Sequence, residues 1–71
     1  MADYHINVFW READCCYVAD IPDLAFCSAF EETPEEALRQ VLQAKAAWLE
    51  SARERGDPVP EPRYRPVHAA G

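Results

Sequence analysis

The chain has 71 residues, with 13 Asp and Glu against 7 Lys and Arg, so it carries a net charge of −6 at neutral pH and a sequence pI near 4.7. That length holds one domain, and a domain this small buries only about 60% of the surface its unfolded chain exposes, so oligomerisation is an expected source of added burial. The acid excess excludes general nucleic-acid binding by phosphate neutralisation and opposes docking on an anionic membrane, while 49% apolar residues and only 2 glycines argue for a packed core.

The charge is unevenly placed. Residues 1–32 hold seven acids against Arg11 alone, whereas residues 33–56 hold four of each sign and residues 57–71 two of each. No signal-peptide pattern and no membrane-length apolar run is present. The 3 cysteines, two of them adjacent at Cys15 and Cys16, do not form a disulfide framework. A reducing cytoplasmic location is expected.

Residues 4–10 read Y-H-I-N-V-F-W, and their period-2 pattern of Tyr4, Ile6, Val8 and Trp10 predicts a strand with that face buried. Residues 11–15 are polar or small and predict a hairpin connection with Asp14 as its turn residue. A second strand is expected over residues 16–21, closed by Pro22 and Asp23, and a short third strand over residues 26–30. Connections this brief make the first two strands antiparallel neighbours, with the third in the same sheet.

At Thr33 the period changes. Thr33, Pro34 and Glu36 combine an N-cap hydroxyl, a proline at the first helical position and a Glu at the third, the signature of a capping box. The helix is expected to run to about Arg55, where Gly56 suits a C-terminal left-handed residue and Pro58 cannot extend the run. Ala37, Leu38, Val41, Leu42, Trp48, Leu49 and Ala52 form one apolar stripe that should cover a face of the sheet. Lys45 falls inside that stripe, and its stem is expected to pack while the ammonium reaches past the sheet edge. Residues 57–66 hold four of the prolines and predict an extended strap, and residues 68–71 an untethered end.

Candidate chemistry is sparse. Glu31, Glu32, Glu35 and Glu36 surround the helix start, where acids are favoured by the exposed amides and the macrodipole; nothing in the spacing makes two carboxylates converge as general acid/base catalysis needs. Cys15, Cys16, Cys27, His5 and His68 lack the paired spacing of a zinc site, and no glycine-rich phosphate loop exists. No cofactor, metal or catalytic residue is therefore assigned, and the chain is expected not to be an enzyme. A small hydrolase using acids at the sheet end is the remote alternative.

Taken in order, the motifs resemble the HicB-like antitoxin family: the opening strand, an acidic turn into Tyr17, Val18 and Ala19; Ile21-Pro22-Asp23-Leu24; Cys27 leading to Thr33-Pro34-Glu35-Glu36-Ala37-Leu38; and the helix end followed by Pro58-Val59-Pro60-Glu61-Pro62. The resemblance covers about residues 3–62, and residues 1–62 are assigned as the domain with residues 63–71 as its tail. It implies an α+β fold, a three-stranded antiparallel sheet with one long helix packed on a face, described as partially ribonuclease-H-like. It also implies a HicA-type toxin partner, a small basic ribonuclease that cuts mRNA and is neutralised by direct binding. Many such antitoxins carry a C-terminal DNA-binding segment; this chain shows none, so its role is expected to rest on protein contact. The family usually has glycine where this chain has Phe26 and Glu31, and an apolar residue at Lys45. If those glycines need positive φ, the loop here should be rearranged.

Asp14, Glu31, Glu32 and Glu35 are the candidate contacts to a basic partner, because they lie in the strand connections and at the helix start. A second reading is a solitary, homo-oligomeric HicB-like binding module without a toxin.

Overall fold

The computed structural model describes residues 3–65. Its elements are β1 (Asn7–Arg11), a 3-10 turn (Glu12–Asp14), β2 (Cys16–Asp20), β3 (Ser28–Glu31) and α1 (Pro34–Arg55). The strands form one antiparallel sheet in the order β1-β2-β3, and α1 packs across one face, chiefly on β2 and β3. This is the expected α+β architecture.

The helix boundaries follow from local chemistry. Thr33 accepts a hydrogen bond from the Glu36 amide at 3.1 Å, Pro34 occupies the first helical position, and Gly56 closes the helix at φ 70 with its amide directed at the last turn. The capping box is only half made, because the Glu36 carboxylate accepts from Arg39 and Gln40 instead of turning back to Thr33.

The strands are displaced from their expected positions. β1 starts at Asn7 rather than Tyr4, and β3 starts at Ser28 rather than Phe26. Tyr4 and Ile6 still pack on the core, but Val8 and Trp10 are exposed, because α1 covers β2 and β3 more fully than the β1 edge. Trp10 leans on Tyr17, with ring centroids 5.1 Å apart in an edge-on pair, and so keeps part of its surface from water. In the β1–β2 connection the left-handed residue is Cys15, at φ 49, and not Asp14. Three turn residues ahead of it leave Cys15 as the one that must redirect the chain into β2.

The core is small. Ala19, Ile21, Leu24, Cys27, Ala37 and Val41 form a buried cluster, flanked by Tyr17, Trp48 and Leu49. Alanines at Ala19 and Ala37 let the helix approach the sheet closely, since neither contributes a long side chain to the space between them. Cys27 sits in this cluster, where burial first and then the nearby Asp20 charge push its thiol above the ordinary range, so it behaves as a small apolar residue. Lys45 does as expected: its side chain is only 18% exposed, its ammonium donates to Asp3 at 2.7 Å, and it lies 5.6 Å from the Tyr4 ring centre. The same hydrogen bond, with that from the Tyr4 amide, holds the Asp3 carboxyl below its usual range.

Residues 57–65 follow the helix without forming a helix or strand. Asp23 anchors this segment, accepting from the amides of Arg63 at 3.1 Å and Tyr64 at 3.0 Å, while the Tyr4 hydroxyl donates to the Pro60 carbonyl and the His5 and Tyr64 rings lie 5.0 Å apart. Asp23→Ala is expected to cost about 1.5 kcal/mol, the lower end of the range for hydrogen bonds to a charged group, because the site is solvent-accessible. Amide hydrogen exchange should show faster exchange at Arg63 and Tyr64 with the helix amides unchanged; equal protection in the variant would remove Asp23 as the anchor. Residues 66–71, which include His68 and most of the expected tail, lie outside the described residues. Among the described residues no helix is long and apolar enough to cross a membrane.

Candidate functional site: an acidic sheet end beside an apolar row

Strand register decides where the acids go. Arg11 at the end of β1 pairs with Cys16 at the start of β2, and Glu31 at the end of β3 pairs with Tyr17. The β1–β2 turn, the exit of β3 and the start of α1 therefore share one end of the molecule. The sheet order brings the four sequence-predicted residues to this end: Asp14 in the 3-10 turn, Glu31 closing β3, Glu32 in the connection, and Glu35 in the first helical turn. Asp14, Glu32 and Glu35 are exposed, and Glu31 is half-buried.

Two further acids join them that the sequence reading left out of the set. Glu12 follows β1 and accepts from the Trp10 indole at 2.6 Å. Glu36 lies in the first turn of α1, where its carboxyl is held below the usual range by hydrogen bonds from Gln40 first and Arg39 second. Their positions after β1 and at the helix start were visible in the sequence; their proximity to Asp14 and Glu32 required the register. Two bases temper this end. Arg11 faces Asp14 at 3.4 Å, and Arg39 pairs with Glu36. Six carboxylates against two guanidinium groups leave the end strongly negative, a potential that attracts a cationic surface and repels phosphate.

An apolar row runs beside the acids on the sheet face turned away from α1. Phe9, Val18 and Phe30 stand in register across the three strands. Both phenylalanines are exposed and Val18 is buried between them. The Arg11 guanidinium lies 6.0 Å from the centre of the Phe30 ring, so the row ends against the acidic end. The register places Phe30 on the open face, because residues 28 and 30 alternate with Ala29, which packs toward the helix.

Cys15 is exposed, Cys16 is half-buried and Cys27 is buried, all as free thiols. Among the described residues, no three His, Cys, Asp or Glu side chains come together as a metal-holding group. The arrangement is suited to a protein contact, with charge for encounter and an apolar row for adhesion.

No family model matches the chain, and no solved structure matches it. A curated relative does: the UPF0150 protein ssl0259 of Synechocystis sp. (strain ATCC 27184 / PCC 6803 / Kazusa) is 41% identical over 53 residues, a span covering 75% of this chain and 73% of the relative. An identity of that level across three quarters of both chains is carried by the folded region rather than by one motif, and on it the chain belongs to the UPF0150 family.

Proposed function

We propose that this protein is a HicB-like antitoxin that neutralises a basic, HicA-type mRNA-cleaving toxin by covering its RNA-binding surface. The observation that carries the reading is the gathering of Glu12, Asp14, Glu31, Glu32, Glu35 and Glu36 at one end of the sheet beside the row Phe9, Val18 and Phe30. Membership in the UPF0150 family and the HicB-like order of motifs over residues 3–62 support it.

The mechanism is competitive. A ribonuclease that binds RNA presents a cationic surface, and carboxylates spaced along an antitoxin edge occupy the positions that phosphates would take. The apolar row then excludes water from the contact and slows dissociation. No bond is made or broken, so the reading requires no cofactor and no catalytic group.

The test is co-expression with the basic, toxin-sized product of an adjacent reading frame. A stable complex and rescue of toxin-inhibited growth are expected. Asp14→Lys combined with Glu32→Lys should weaken the complex by tenfold or more, in the order-of-magnitude sense of about 1.4 kcal/mol per decade, and should flatten its dependence on salt. Absence of both complex and rescue overturns the proposal.

A further inference from the structure

We infer that a flank of α1, separate from the acidic end's connections and from the sheet, is the interface for a second copy of this chain, packed antiparallel about a two-fold axis. The expected stripe on α1 divides in the fold. Ala37 and Val41 are buried in the core with the sheet and Ala52 is buried near the helix end, but Leu38 and Leu42 are 39% and 43% exposed. Leu38, Leu42, Ala46 and Leu49 line a continuous shallow groove roughly a quarter-turn around the helix from Val41. Among the described residues nothing packs over it.

The charges at its two ends identify the occupant. Glu35 lies at one end of the groove and Arg53 at the other. At 3.6 residues per turn their separation is about five whole turns, so both project in the same direction as the leucines. Neither makes an ion pair among the described residues, whereas Arg11, Arg39, Lys45 and Arg55 all do. A second helix laid antiparallel, with the axis passing midway between Leu42 and Ala46, sets Leu42 against Ala46 of the partner subunit and brings Leu38 to within one residue of Leu49 of the partner subunit. The same operation sets Glu35 against Arg53 of the partner subunit, and symmetry makes that pair twice.

A parallel arrangement would oppose Glu35 to its own copy and Arg53 to its own copy, which like-charge repulsion disfavours. A strongly basic partner is not matched here either, because Glu35, Glu50 and Glu54 along the groove are balanced by Arg39, Lys45 and Arg53. The self-complementary pattern also answers the thin core, since dimerisation buries the leucines that the sheet leaves in water.

Sedimentation of the full chain alone, at micromolar concentration, tests the interface without any toxin. The wild-type protein is expected to be a dimer. Leu42→Asp should raise the dimer dissociation constant by about a hundredfold, because it places an unpaired carboxylate beside the two-fold axis in both copies. Circular dichroism should retain the helix signal, because Leu42 is exposed and lies outside the buried core cluster. Glu35→Arg and Arg53→Glu should each weaken the dimer by about tenfold, and the two together in one chain should return it to near the wild-type value. A monomeric wild-type protein, a dimer that survives Leu42→Asp, or a failure of the charge exchange to restore association would each overturn the inference. Glu35 belongs to both surfaces, so the separation rests on Leu42, which stands clear of the strand turns and of the Phe9, Val18 and Phe30 row: loss of the dimer in Leu42→Asp and loss of toxin binding are separable results.

Discussion

Ile21→Ala is expected to destabilise the domain by about 2–5 kcal/mol, against a total stability of about 4–11 kcal/mol for a chain of this length. Ile21 is 1% exposed and, with Leu24 and Val41, is one of the largest fully enclosed side chains among the described residues. The neighbours cannot relax freely into the space it leaves. Its own amide donates to the Cys27 carbonyl at 3.0 Å and its carbonyl accepts from the Leu24 amide at 3.0 Å, so the backbone on both sides of the cavity is tied. In urea unfolding the midpoint should fall with the slope unchanged, and at the upper end of the range the variant would be substantially unfolded at physiological temperature. A loss below about 1 kcal/mol would mean that the core collapses around the site, contrary to the packing described.

Phe26→Gly should act in the opposite direction and stabilise the fold by about 1 kcal/mol. Phe26 has φ 60, in the left-handed region, and is 102% exposed, so its ring contributes no packing in return. The Cys27 amide donates to the Leu24 carbonyl at 3.2 Å, which makes Phe26 the third residue of a tight turn, the place where positive φ calls for glycine. Strain of about 1–3 kcal/mol is relieved on substitution, less about 0.5–1 kcal/mol for the greater freedom of glycine in the unfolded chain. A rearranged loop was the expectation if glycine stands at this point for its positive φ; instead Phe26 itself adopts the positive φ and bears the strain. The turn is held from outside, since Ile21 pairs with Cys27 across its base and the Trp48 indole donates to the Ala25 carbonyl at 3.0 Å. Equal or lower stability of Phe26→Gly in denaturant titration would show that the ring is not idle. Glu31, the other position where glycine is usual, lies in β3 without positive φ, so no strain arises there.

What could be read from the sequence was whatever is decided within a few residues. The helix start depends on a hydroxyl and an amide three positions apart, Thr33 and Glu36, and its end on the one glycine at residue 56; both were legible before any fold was known. The antiparallel order followed because a connection as short as residues 12–15 permits no other arrangement. The candidate acids Asp14, Glu31, Glu32 and Glu35 were legible as residues of the strand ends, the connections and the helix start, but Glu12 and Glu36 joined them only through the register.

Tertiary structure decided what depends on where the helix sits over the sheet. The spacing of Leu38 and Leu42 is as helical and as apolar as that of Ala37 and Val41, so periodicity assigns all four to one buried stripe. A single cylinder lying mainly over β2 and β3 can bury only the part of that stripe in contact with them, which leaves Leu38 and Leu42 on a flank and Val8 and Trp10 beyond the edge. The same holds for the strap, whose anchor at Asp23 is 40 residues away from Arg63 in the chain. The local signals thus determined which elements form and in what order. The geometry of packing one helix on three short strands determined which apolar residues became core and which remained available for a partner.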